Sequence, residues 1–307
     1  MPAAALRALL ARSIDYAGLF PPADLALEPA LRNHAQYVRT PETWMLGAFI
    51  LPIAKFEEAF TDLSQFNAQH PLRVSALGSK TASASEFAEA LETAQKAIAQ
   101  CNGRHQPVAS ITQFEMPLPA EMRANVFDAI AAFSQGSQLA TFWEAPAASA
   151  EETIALLAQN NTSRDDGLAG FKLRTGGVIA SAFPSSTEIA QVLVAAAAKH
   201  RVPIKFTAGL HHPVRQFHPS VQTKMHGFLN VLGAGVLAAE HDWDVSQTAA
   251  MLQDERAESF SFDDHSFRWR EWAISTPQIE ARRTLVTSLG SCSFDEPRED
   301  LHALGLM

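Results

Sequence analysis

The sequence predicts an α/β chain folded as a parallel (β/α)8 TIM-type barrel, and three observations lead there. Short apolar strands alternate with helix-patterned stretches at the roughly 30-residue spacing of βαβ units. Charged residues stand near the C-terminal ends of several of these strands: Glu115 in QFEMP, Glu144 in FWEAP, Lys172 in GFKLR and Lys205 in PIKFT. Barrel enzymes gather their chemistry at that rim. A doubly wound sheet would more often carry a Gly-rich phosphate loop after its first strand, and none is visible.

The elements follow in order. The opening MPAAALRALLARSIDYAGLF reads as a short amphipathic helix rather than a transit peptide, because its apolar run is short and no cleavage pattern follows. IDYAGLFPPA (14–23) is a strand or a loop over one end. MLGAFILP (45–52) reads as a buried strand, and FEEAFTDLSQF (56–66) has helical spacing. RVSALGS (73–79) is a strand, followed by a helix with Phe87, Leu91, Ala94 and Ile98 on one face. PVASITQFEMP (107–117) is a strand and ANVFDAIAAF (124–133) a helix. LATFWEAP (139–146) is a strand, and Ser149 with Glu152 has the capping-box spacing of a helix start. LAGFKLRTGG is a strand, Ser185 with Glu188 caps a helix facing Ile189, Val192, Leu193 and Ala196 inward, and PIKFTAG is the next strand.

The last third is irregular. SVQTKMHGFLNVLGAGVLAAEH (220–241) reads as a helix, SFSFDD (259–264) and FRWRE (267–271) as a strand or hairpin, and TPQIEARRTLVTSL (276–289) as a helix. GSCSFDEP (290–297) reads as a loop near the barrel mouth. Residues 1–307 are expected to form one barrel domain, with 242–307 a candidate C-terminal extension packed on it.

Composition excludes several classes. The net charge is −9, with no basic tract, which argues against a nucleic-acid partner. No apolar run approaches the length of about 18 residues that a membrane span needs. Cys101 and Cys292 are the two cysteines, too few for a disulfide framework, and a reducing cytoplasm fits. The expected partner is a small molecule; the oligomeric state is left open.

The chemistry centres on Lys172 and Lys205. A lysine at the end of a buried strand is costly unless paired or used. Two ammonium groups facing each other disfavour each other's charge, which lowers one pKa and frees an amine to attack a carbonyl. The bland reading is two separate ion pairs, to Glu115 and Glu144. Those carboxylates can also move a proton, or bind a divalent metal with a histidine of the His211–His212 pair. Arg174, Arg215 and Lys224 make this region positive in an acidic chain, which suits an anionic ligand. Cys292 reads as a buried, incidental cysteine more readily than as a nucleophile.

FKLRTGG resembles the Lys-x-x-Thr-Gly strand end of the deoxyribose-phosphate aldolase family, and IKFTAGL is similar to that family's later Lys-x-x-Gly-Gly strand. The resemblance covers about 45 residues, within the usual size of a βαβ unit and its flanks. It implies that Lys172 is a Schiff-base lysine, that Lys205 tunes it, and that Gly176 and Gly177 line the mouth; Arg174, Thr175, His211 and His212 are further candidate binding residues read from the sequence itself. The family's second Gly-Gly is here Ala208-Gly209, followed by Leu210, His211 and His212, and its phosphate-binding strand has no clear counterpart. Three readings stand. One is a class I aldolase-type lyase without cofactor, using Lys172, Lys205, Glu115 and Glu144 on a small anionic carbonyl compound. Another is a metal-dependent isomerase or hydrolase. The third is a silent barrel that binds an anion or a partner protein.

Overall fold

Eight apolar strands pair in parallel and close on themselves. The computed structural model describes residues 1–121, 124–135, 137–162 and 167–307. The barrel strands are β1 (Ile14–Tyr16), β2 (Leu46–Pro52), β3 (Leu72–Leu77), β4 (Ala109–Pro117), β5 (Ala140–Glu144), β6 (Ala169–Arg174) and β7 (Ile204–Thr207), closed by a late strand. Between β7 and that late strand come an antiparallel hairpin, β8 (Gln216–His218) with β9 (Thr223–Met225), and a three-stranded sheet. The sheet is β10 (Phe260–Phe262), β11 (Ser266–Trp269) and β12 (Trp272–Ser275). The closing strand is β13 (Val286–Ser291), which pairs with β7 on one side and β1 on the other. The (β/α)8 architecture is therefore as expected.

The crossover helices form where the sequence places an apolar stripe. Ala84–His105 buries Phe87, Leu91, Ala94 and Ile98, and the Ser83 hydroxyl accepts from the Glu86 amide at its start. Burying a side chain the size of Phe87 or Leu91 is worth about 2 kcal/mol. Ser185 and Glu188 form the reciprocal capping box that the spacing predicts.

Several expectations need correction. Ser149 does not cap the next helix. A tight turn, Ala147–Ser149, leads into Ala150–Asn161, so Ser149 lacks the extended backbone of a cap and its hydroxyl bonds the Pro146 carbonyl instead. The helix expected over 56–66 is a single turn, Phe56–Ala59. In 220–241 only Phe228–His241 is helical. The chain first makes β9 and turns at Gly227, where a Cβ would lie 2.5 Å from the Pro213 carbonyl oxygen. Finally, TPQIEARRTLVTSL divides. Pro277 and the Ser275–Gln278 box start a helix that stops at Arg282, and the chain then enters the barrel as β13. The Arg283 guanidinium holds that junction by bonding the carbonyls of Val286, Thr287 and Ala11. Within 242–307, Val286–Ser291 is the closing barrel strand. Likewise 290–297 is the end of β13 followed by a helix from Asp295. Among the described residues no helix is long and apolar enough to cross a membrane.

One buried group gives the fold a pH limit. His34, on the helix Leu27–Tyr37, is 1% exposed, lies stacked on Tyr16, and has no hydrogen-bond partner at either ring nitrogen. Burial, with a smaller push from the Arg73 charge, lowers its pKa from 6.5 to about 3. The neutral ring is the folded form, so its full stability is present above pH 6.5 and is lost as pH falls toward 3. The slope is about 1.4 kcal/mol per pH unit for this one group. Urea unfolding is expected to show that loss begin near pH 6.5, above the range where carboxylates titrate, and His34→Phe is expected to flatten it. Equal slopes in the two proteins would refute the assignment.

Candidate active site

The polar residues near the C-terminal ends of the strands meet inside the barrel. Strand register sets Lys172 beside Lys205 and Glu144 beside Lys172. On β4, Gln113 and Glu115 are two residues apart and so share a face. The two lysines do not confront each other directly. Glu115 stands between them, with Oε1 2.9 Å from Lys205 Nζ and Oε2 2.7 Å from Lys172 Nζ.

Each lysine also has a carboxylate of its own. Lys172 Nζ lies 2.9 Å from Glu144 Oε2, and Lys205 Nζ lies 2.7 Å from Asp15 Oδ2. Lys205 donates to Gln113 Oε1 at 2.8 Å, and its ammonium sits 5.6 Å from the centre of the Phe142 ring. Ser75 Oγ donates to Glu115 Oε1 at 2.6 Å. Asp15 is held by Ser288 Oγ at 2.7 Å and by the Ala48 amide at 2.6 Å. Every strand of the closed barrel contributes a group to this network. Arg174 Nε stands 3.5 Å from Glu144 Oε1, which matches the three carboxylates with three cations.

This order of charges overturns the expected repulsion. Burial works to raise the Glu115 pKa, but the charges of Lys172 and Lys205 outweigh it and hold it at about 2. Burial likewise works to lower Lys205, but Asp15 and Glu115 outweigh it and its pKa is raised. Lys205 is therefore a fixed cation, not a depressed amine. A carboxylate between the two lysines replaces repulsion by attraction on both sides.

Only one of the two lysines reaches open space. Lys205 and Glu115 are fully enclosed, whereas Lys172 forms part of the wall of a cavity of about 400 Å³ at the mouth. The charged residues lining it, among those described, are Lys172, Arg174 and His211, all potential cations. Gly176 and Gly177 line it as expected, with Val178, Ile179, Phe20 and Cys292. Gly176 is there because the loops after β6 and β7 touch: a Cβ on it would lie 2.8 Å from the Gly209 Cα.

Two expected binding residues are occupied elsewhere. Thr175 is buried, and its hydroxyl donates to the Ala208 carbonyl at 2.7 Å, tying the ends of β6 and β7 together. His212 bonds Asp300 at 2.6 Å and stacks on His218, away from the cavity lining. Lys224 and Arg215 both pair with Glu255, outside that lining. His211 does line the cavity. Its Nδ1 lies 3.0 Å from Glu296 Oε2 and 3.9 Å from Cys292 Sγ. Burial disfavours the charge on His211, but the bonds to Cys292 and Glu296 prevail and raise its pKa to about 9. Cys292, expected to be incidental, thus belongs to the cavity wall.

The ligand set expected for a metal is not assembled. Glu115 and Glu144 turn to Lys172, while His211 turns to Glu296. Among the described residues no group of three or more His, Cys, Asp and Glu side chains is arranged to hold a metal ion.

No family model matches this chain, and no curated protein matches its sequence. The site therefore has to be read from its own geometry.

Ser75, Gln113 and Ser288 were not among the expected site residues. Gln113 did carry a signal, since it shares the parity of Glu115 on the same strand.

Proposed function

We propose that this protein is an enzyme, a lyase of the class I aldolase type, in which Lys172 forms a Schiff base with a small anionic carbonyl compound. The observation that carries this reading is the position of Lys172. It is the one lysine lining the cavity among the described residues, with two carboxylates within 3 Å of its nitrogen. The neighbouring Lys205 keeps its own charge behind Glu115.

The chemistry follows from that arrangement. Lys172 must give up a proton before its nitrogen can attack a carbonyl carbon. Glu115 is held as an anion by two cations and is a poor acceptor. Glu144, 2.9 Å away and partly open to solvent, is assigned as the acceptor because it can pass the proton on to water or substrate at the mouth. The C–N bond forms, the carbonyl oxygen leaves as water, and the resulting protonated imine withdraws electrons from the adjacent carbon–carbon bond. Glu144 then serves as the local store for the proton that moves between nitrogen, oxygen and carbon. Lys205, Asp15 and Glu115 form a rigid charged floor that fixes the height of Lys172 in the barrel. The resemblance of FKLRTGG to an aldolase strand end supports the role of Lys172; the tuning role that IKFTAGL implies for Lys205 is replaced here by that of a fixed cation behind Glu115. The two unpaired cysteines fit a cytoplasmic setting.

The test is reductive trapping. The protein is incubated with a panel of short aldehydes and oxo acids plus borohydride, and the adduct is located by mass spectrometry. A stable mass increment on the peptide containing Lys172 is expected for at least one member. Absence of any adduct across the panel would favour a barrel that binds an anion without chemistry.

A further inference from the structure

We propose that the cavity takes a short oxo carboxylic acid, with Arg174 and His211 binding its carboxylate, and not a phosphorylated carbonyl compound. This deepens the Schiff-base reading and rests on it for the role of Lys172 alone.

Three features of the wall lead to this class. First, Arg174 lies two residues beyond Lys172 on β6, and both lean on one carboxylate. Lys172 Nζ approaches Glu144 Oε2, and Arg174 Nε approaches Glu144 Oε1. Nucleophile and guanidinium therefore stand within the span of a short molecule, and a ligand that reaches both carries its anion a few bonds from its carbonyl. The Arg174 side chain is 56% exposed, so most of its donors remain available.

Second, His211 is prepared as a donor. Glu296 fixes Nδ1, and among the described residues Nε2 has no hydrogen-bond partner. A carboxylate on one ring nitrogen orients the ring and leaves the other to serve a ligand. The raised pKa of His211, about 9, means that this nitrogen carries a proton at neutral pH.

Third, the places where barrels usually hold phosphate are closed to it. Phosphate sites commonly use the loops after the seventh and eighth barrel strands and a helix N-terminus there. Here β7 is followed by the hairpin β8–β9 rather than by a helix. The helix after β13 starts with Asp295 and Glu296 in its first turn. A dianion would meet two carboxylates there. A monoanionic carboxylate held by Arg174 and the far ring nitrogen of His211 carries one charge fewer and meets less of that repulsion.

The experiment separates anion binding from imine formation by using probes that do only one. Propionate has a carboxylate and no carbonyl, acetone a carbonyl and no charge, and inorganic phosphate tests the rejected class. Calorimetric titration of the wild-type protein is expected to show propionate binding at least ten-fold tighter than phosphate. Arg174→Gln and His211→Asn, each checked for an unchanged urea midpoint, are expected to weaken propionate at least ten-fold. Propionate binding by the wild type is expected to fall as pH passes about 9, where His211 loses its charge. Should either variant fail the fold check, that pH profile and the propionate-to-phosphate ratio in the wild type still decide. Phosphate binding as tightly as propionate, or propionate indifferent to both variants and to pH, would overturn the inference. Pyruvate and acetone are then compared in borohydride trapping. Equal trapping of both at Lys172 leaves the Schiff-base reading standing and removes this one. Propionate binding as described, with no trapping of any carbonyl, does the reverse.

Discussion

Lys205→Met is expected to destabilise the protein by about 3–5 kcal/mol, the usual cost of breaking a buried ion pair from one side. The substitution leaves Asp15 and Glu115 enclosed, with no ammonium between them. Glu115 keeps Lys172 and the Ser75 hydroxyl, whereas Asp15 keeps the Ser288 hydroxyl, the Ala48 amide, a long contact from the Gln113 amide and the more distant charge of Arg283. Urea unfolding at neutral pH measures the loss directly. Asp15→Asn in the Lys205→Met background is expected to recover part of it. The asparagine side-chain oxygen can still accept from the Ala48 amide while the stranded charge is gone. A loss below about 1 kcal/mol for Lys205→Met would mean that water reaches the network and that the floor is not the closed unit described.

Lys172→Arg is expected to abolish borohydride trapping while leaving the urea midpoint nearly unchanged. A guanidinium keeps the positive charge between Glu115 and Glu144, so the buried carboxylates stay paired. It cannot form an imine under these conditions. The mass increment on this peptide should fall below detection, and turnover of any trapped compound with it. The contrast between the lysines is the sharper part of the prediction. On this reading Lys172 is expected to govern chemistry and to be replaceable by another cation, whereas Lys205 is expected to govern stability. An adduct that persists in Lys172→Arg, or that maps to Lys205, would defeat this division of roles and the aldolase-type reading with it.

The division was only half legible beforehand. Lysines and glutamates near the ends of apolar strands mark themselves, because a charge there needs either a partner or a use. That reasoning found Glu115, Glu144, Lys172 and Lys205. It also named ion pairs of the lysines with Glu115 and Glu144, but not that Glu115 serves both lysines or that Asp15 takes Lys205. Lys172 and Lys205 occupy equivalent positions on adjacent strands, and the sequence alone leaves direct repulsion and separate ion pairs equally open. The carboxylate that intervenes comes from β4, two strands from β6 and three from β7 around the barrel. It arrives there only because the closed barrel brings non-adjacent strands to face each other. His211 and His212 show the same limit. They are adjacent in the chain, yet one lines the cavity beside Cys292 and the other is taken up by Asp300.

By itself the sequence determined the strands β2 to β7, the helices between them wherever an apolar stripe is long enough, and the charged residues near their ends. Those features depend on local periodicity and on the cost of burying a charge, and both can be read a few residues at a time. Only the tertiary structure decided that Ile14–Tyr16 and Val286–Ser291 are barrel strands. β1 is too short to show a period, and β13 follows directly on a helix whose apolar spacing runs into it. These two strands pair with each other from opposite ends of the chain, and each needs the other to satisfy its backbone. The same closure brings Asp15 to Lys205 and Cys292 to the mouth. The floor of the site and one wall of its cavity were thus set by a contact between residues nearly the whole chain apart, which no local pattern encodes.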